Sequence, residues 1–100
     1  MNSVVENGKL TITLGDHIDA VNAKDVLNEL NNCVNNADPH EEIVLDCDAL
    51  EYISSAGFRI LFTLREEQQK PITLINVSPM VYETFEVTGF TSLFEIHQLG

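Results

Sequence analysis

The chain has 100 residues, 44% hydrophobic and 21% charged, and its 16 acidic side chains outnumber 5 basic ones for a formal net charge of −11. That length fits one domain, which should bury roughly two-thirds of its unfolded surface and needs no metal or disulfide staple. The acidic balance argues against nucleic acid and anionic membrane surfaces as partners, because both would repel it, and favours a basic or mixed-charge partner.

The first residues, Met1-Asn2-Ser3-Val4-Val5-Glu6, lack the layout of a secretory signal, and no apolar run approaches the ~18 residues of a bilayer span. Val4-Val5, then Asn7-Gly8, then the alternating Lys9-Leu10-Thr11-Ile12-Thr13-Leu14 read as a hairpin with a type I′ turn, Leu10, Ile12 and Leu14 facing a core. Gly15-Asp16 ends that strand. From about Val21 to Asn36 the apolar residues Ala23, Val26, Leu27, Leu30, Cys33 and Val34 recur at helical spacing, and Asp38-Pro39 breaks the pattern. Ile43-Val44-Leu45, inside the run Glu42 to Cys47, lacks alternation and reads as a strand covered on both faces.

Ser54-Ser55-Ala56-Gly57 opens a second helix running to about Gln69, with Phe58, Leu61, Phe62, Leu64 and the stem of Arg65 on its apolar face. Pro71 stops it, and Ile72-Thr73-Leu74-Ile75 is a further strand. Ser78-Pro79 starts a third helix carrying Val81, Tyr82, Phe85 and Val87, with Gly89 suited to a left-handed C-terminal position. Phe94-Glu95-Ile96-His97 is the last strand. The order ββαβαβαβ predicts an α/β single domain over residues 1–100, with a mixed, mostly parallel β-sheet and alternating helices.

Nothing assembles into an enzyme: there is no nucleophile elbow, no phosphate-cradling glycine loop and no paired-histidine metal motif, and nothing calls for a cofactor. His17 with Asp19, and His40 with Glu41 and Glu42, are solvated clusters more readily than metal sites. Cys33 and Cys47 fall on apolar faces and read as small core residues in a reducing cytoplasm. A thiol-redox role has no Cys-x-x-Cys or neighbouring cation to support it. The informative segment is the turn after the Glu42–Cys47 strand. Ser54 or Ser55 there can cap the helix, or a phosphorylated hydroxyl would set its oxygens where a helix N-terminus favours anions, with Arg59 one turn on.

Leu45 through Leu61, with Ser54-Ser55-Ala56-Gly57-Phe58-Arg59 at its centre, resembles the signature of the STAS domain of bacterial anti-sigma-factor antagonists, which opens a helix with Asp-Ser-Ser-Gly-Leu or Ser-Ser-Ala-Gly-Leu-Arg. Gly15-Asp16-His17-Ile18-Asp19-Ala20 is similar to the family's segment before its first long helix. Ser78-Pro79 through Gly89-Phe90 is similar to its Ser-Pro-x-Val-x-x-x-Phe-x-x-x-Gly-Leu. The resemblance implies a STAS-like domain in which Ser55 is the phospho-acceptor and Ser54 the second candidate, standing where the motif has Asp, with Ala56 in place of its second Ser.

The resemblance also implies partner contacts through Asp16, Asp19, Ser54, Ser55, Ala56, Gly57 and Arg59. The implied function is a cytoplasmic, non-enzymatic, phosphorylation-controlled switch. Dephosphorylated, it binds an anti-sigma factor that is also a serine-protein kinase and so frees a sigma factor; a serine phosphatase resets it. The alternative is a constitutive STAS-like subunit or scaffold, such as the partner of a lipid-transport ATPase, in which both serines only cap the helix.

Overall fold

A computed structural model describes residues 1–99. Strands β1 (Ser3–Glu6) and β2 (Lys9–Thr13) form the hairpin, turning at Asn7 and Gly8 with φ of 54° and 78°. Both residues are left-handed, as a type I′ turn demands. A two-residue strand β3 (His17–Ile18) leads to helix α1 (Ala23–Asn36), then β4 (Glu42–Asp46), a second two-residue strand β5 (Tyr52–Ile53), and α2 (Ser55–Gln68). The chain closes with β6 (Ile72–Val77), α3 (Pro79–Thr88), a 3₁₀ turn at Phe90–Ser92, and β7 (Glu95–Gln98).

The main sheet has the order β1-β2-β4-β6-β7. Only β1 runs against its neighbour; the β2–β4, β4–β6 and β6–β7 pairs are all parallel. The eight elements of the predicted order are all present, and β3 and β5 are additions to it. They pair with each other, in parallel, as a separate ribbon.

One face of the sheet is sealed: Leu10, Ile12, Ile43, Leu45 and Leu74 are each 0% exposed. The helices supply the other half of that core through Val26, Leu30 and Val34 of α1, Phe58, Leu61 and Leu64 of α2, and Val81 and Phe85 of α3. No polar side chain is buried among the described residues. The alternate residues Thr11, Val44, Asp46, Thr73 and Ile75 are only half-buried. So β4 is not covered on both faces as its composition suggested. Its in–out alternation is present, but Val44 puts an apolar residue on the open side, where β-branched side chains suit the pleat.

Two helix faces also differ from expectation. Phe62 and Val87 are 37% and 81% exposed, while Ile60 packs inward at 9%. Successive helical residues are rotated by about 100°, so Phe62 lies a quarter-turn off the Leu61 direction, and Val87 lies about 200° around from Phe85. α3 otherwise follows the reading: the Ser78 hydroxyl accepts from the Val81 N–H at 3.3 Å, Pro79 opens the first turn, and Gly89 ends it with φ 80°.

Cys47 sits against this core at 1% exposure. Burial, aided by the Asp46 carboxylate, pushes its thiol up to about 12, so almost no thiolate exists near neutral pH. The native protein should therefore leave Cys47 unlabelled by iodoacetamide at pH 8 and expose it only on denaturation. Stoichiometric native labelling at Cys47, read by peptide mass, would contradict the packing described.

Candidate functional site

β2 and β4 are adjacent and parallel, so the loops leaving their C-terminal ends emerge side by side. In open α/β sheets this end is where ligands and partners are met. The two loops are then stitched together by their backbones. Asp16 carbonyl oxygen accepts from the Glu51 N–H at 2.8 Å, β3 pairs with β5 with His17 opposite Tyr52 and Ile18 opposite Ile53, and Ile18 carbonyl oxygen accepts from the Ser54 N–H at 2.9 Å. Ile18 and Ile53 point inward, 1% and 3% exposed, and anchor the ribbon; His17 and Tyr52 point to solvent.

The start of α2 lies directly against that ribbon because Gly57 has no side chain. A Cβ at Gly57 would stand 2.5 Å from Ile53 Cγ1 and 3.1 Å from both Ile18 Cγ2 and the Ile18 carbonyl oxygen. The glycine is therefore a contact requirement, with no unusual backbone angle involved. One residue later, Phe58 locks the same turn from the other side, edge-on to Phe85 at 4.7 Å and stacked on Phe90 at 4.9 Å between ring centroids. The helix N-terminus is thus clamped between the ribbon and α3.

Within this clamp the two serines divide their roles. Ser54 is the N-cap: its backbone is extended, and its hydroxyl accepts from the Gly57 N–H at 3.4 Å, a long bond. Ser55 is the first helical residue and is exposed. Its hydroxyl makes no hydrogen bond among the described residues and adjoins the free N–H groups of the first turn. Ala56 is half-buried. Arg59 is exposed one turn along, and forms no ion pair among the described residues.

Asp16 and Asp19 come to the same patch by different routes. Asp19 holds the chain where it turns into α1: its Oδ1 accepts from the N–H groups of Val21 at 2.9 Å and Asn22 at 3.1 Å, while Asn22 Oδ1 accepts from the Asp19 N–H at 2.8 Å. It makes no hydrogen bond to Ser54 or Ser55. Its nearness to the turn comes from the ribbon, since Ile18 is already bonded to Ser54. Asp16 is exposed and bonded to the His17 ring, Oδ1 to Nδ1 at 2.7 Å, with Asp19 Oδ2 3.7 Å from the ring's Nε2. The Asp16 hydrogen bond chiefly raises the His17 pKa above its usual 6.5; desolvation opposes it, and the charges of Asp16 and then Asp19 add to the rise.

Behind the turn, Asp46 organises the loop that delivers it. Its Oδ1 accepts from the Asp48 N–H and from the side-chain amide of Asn76, both at 3.0 Å. Asn76 itself is left-handed, φ 56°, at the irregularity between Leu74 and Val77 of β6. Among the described residues no three potential ligands group around a metal position. Tyr52, which the sequence did not single out, is exposed beside the predicted patch, as are His17, read there only as part of a solvated cluster with Asp19, and Phe62, read as core-facing. Tyr52 is 57% exposed. Its place after Glu51 and before buried Ile53 was the one available signal.

The STAS domain family model matches residues 1–98. A Bordetella bronchiseptica protein, the candidate anti-sigma factor antagonist BtrV, is 32% identical over 93 residues, covering 90% of this chain and 78% of that one. An anti-sigma factor antagonist from Mycobacterium paratuberculosis superposes with a TM-score of 0.81 at 19% identity, covering 96% and 82% of the two chains. SpoIIAA, an anti-sigma factor antagonist solved in its unphosphorylated form, does so at 0.67 and 17%, covering 93% and 83%. The chain belongs to the STAS domain family, and its named relatives in sequence and in structure include anti-sigma factor antagonists.

Two consequences of the geometry are measurable. Gly57→Ala should destabilise the fold by about 1–3 kcal/mol, the usual range for overpacking, because Ile53 is buried and has little room to yield. A denaturation midpoint equal to wild type would show that the close approach does not constrain the fold. His17 should titrate above 6.5 by NMR and fall towards it in Asp16→Asn. Since the folded pKa is the higher one, the associated stabilisation is complete below the unfolded value and lost as pH rises through the folded midpoint. An unchanged midpoint in Asp16→Asn would contradict the assigned cause.

Proposed function

We propose that this domain is a phosphorylation-controlled anti-sigma-factor antagonist whose toggle is the hydroxyl of Ser55. The observation that carries the reading is the division of labour at the turn: Ser54 caps the helix, and Ser55, exposed beside it, is free to be modified. Dephosphorylated, the patch made by the Gly15–Ala20 loop, the Ser54–Gly57 turn and the outer stripe of α2 docks onto an anti-sigma factor that is also a serine-protein kinase. That stripe runs Ser55, Arg59, Phe62 and Glu66 at helical spacing, all exposed, with Phe62 as an apolar anchor. Docking frees the sigma factor, and a serine phosphatase restores the competent form.

Phosphorylation adds about −1.5 to −2 charge at the edge of a patch that already holds Asp16, Asp19 and Glu51. The helix N-terminus welcomes the anion, by about 0.3–1 kcal/mol, so the modification leaves the domain folded. A partner surface fitted to the neutral hydroxyl meets bulk and charge instead, which costs a few kcal/mol and therefore orders of magnitude in affinity. The anti-sigma factor antagonists among its relatives and the family match over residues 1–98 support the pathway; the exposure of Ser55 supports the switch.

Two measurements test the reading together. Incubation with the producing cell's extract and ATP should add one phosphate, localised by mass spectrometry to Ser55. Ser55→Asp should lose binding to the kinase partner by about 100-fold or more, while keeping the circular dichroism spectrum and melting midpoint of Ser55→Ala. Equal binding by Ser55→Asp, Ser55→Ala and wild type would instead indicate a constitutive subunit.

A further inference from the structure

Beyond the β5 side of the turn lies a groove of about 710 Å³ between the loop after β4 and the start of α3, lined by Asp48, Leu50, Glu51, Ser78, Pro79 and Met80. It occupies the gap between the C-terminal ends of β4 and β6, as the Ser55 patch occupies the gap between β2 and β4. Glu51 belongs to both, since its N–H is bonded to Asp16 and its side chain lines the groove. The floor is apolar and fixed, with Leu50 2% exposed; one wall is Met80, 74% exposed at the first turn of α3. Along α3 the stripe continues outward through Glu83 to Val87, 81% exposed.

The charge around this apolar strip is of one sign. Asp48, Glu51 and Glu83 form no ion pair among the described residues, and none of Lys9, Lys24, Arg59, Arg65 and Lys70 lines the groove. Among the described residues the carboxylates do not converge on a metal position. We propose that the groove is a docking site for a protein partner's basic amphipathic segment, an aliphatic side chain resting on Leu50 and Met80 while flanking lysines or arginines meet Asp48, Glu51 and Glu83. This rests on the reading that the domain works by docking a protein, and it gives that partner a chemistry. Methionine suits such a wall, because its flexible thioether can repack around the incoming side chain. The charges steer encounter, and the apolar strip holds the segment once seated.

The test uses the whole domain and two synthetic peptides roughly four helical turns long, identical in leucine spacing, one carrying lysines and one glutamates between them. In amide NMR titrations the lysine peptide should shift residues 48–51 and 78–80 first, and the glutamate peptide should shift none. Met80→Ser should weaken lysine-peptide binding about tenfold or more at an unchanged melting midpoint, and Asp48→Lys with Glu51→Lys should abolish it. Shifts centred away from residues 48–51 and 78–80, or an affinity unaltered by Met80→Ser, would overturn the assignment. The readout involves neither kinase nor phosphate, so its failure leaves the Ser55 switch standing, and failure of Ser55→Asp to respond leaves the groove standing.

Discussion

The hydrogen bond from the Ser54 N–H to the Ile18 carbonyl is the joint on which the site depends. It ends a ribbon of two residues per strand, too short to be stable alone, yet it fixes a segment before the first helix to the N-terminus of the second. The ribbon survives because its inward residues, Ile18 and Ile53, are buried in the main core, so hydrophobic burial stabilises a pairing that its few hydrogen bonds could not. Gly57 completes the joint by allowing backbone approach from α2. Asp16, Asp19, Ser54 and Ser55 are thus distant in sequence but share one rigid surface.

That rigidity bears on how the surface can respond to modification. The helix end is held by the Ser54 cap, by the Phe58–Phe85–Phe90 cluster and by Asp46 gripping both the loop and Asn76. Each support acts through an atom other than the Ser55 hydroxyl. A charge added there would therefore change the potential of the patch while touching none of these supports. The core beneath buries no polar side chain among the described residues.

Much of this could be read from the sequence, and the exceptions have physical reasons. The long strands and helices were visible because period-two and period-3.6 burial is written into side chains, as in Leu10-Thr11-Ile12 and in Val26-Leu30-Val34. β3 and β5 were not, because two residues cannot display a period and backbone pairing leaves no mark on side-chain identity. Phe62 and Val87 misled because apolar residues crowd their helices, and only the 100° rotation per residue separates the buried from the exposed. The Ser54–Gly57 motif was legible as a motif, but the reason for its glycine became visible only with Ile18 in place, since that contact joins residues far apart in the chain. Asp19 was rightly assigned to the loop, while its bonds to Val21 and Asn22 give it a structural duty that the motif alone does not express.

The replacement of the motif's Asp by Ser54 fits this division. Asp and Ser cap helices about equally well, so the helix start loses little by the exchange. The electrostatics do change: a carboxylate at the cap would hold a negative charge one residue from the Ser55 hydroxyl, whereas Ser54 is neutral. On the proposed reading, a phosphate on Ser55 would then be the first charge on the turn rather than an addition beside a carboxylate. The remaining acids of the patch, Asp16 and Asp19, are occupied locally: Asp16 on His17, and Asp19 on the first turn leading into α1. A neutral cap thus lies beside a free hydroxyl, and the nearby carboxylates of Asp16 and Asp19 are engaged by their own neighbours.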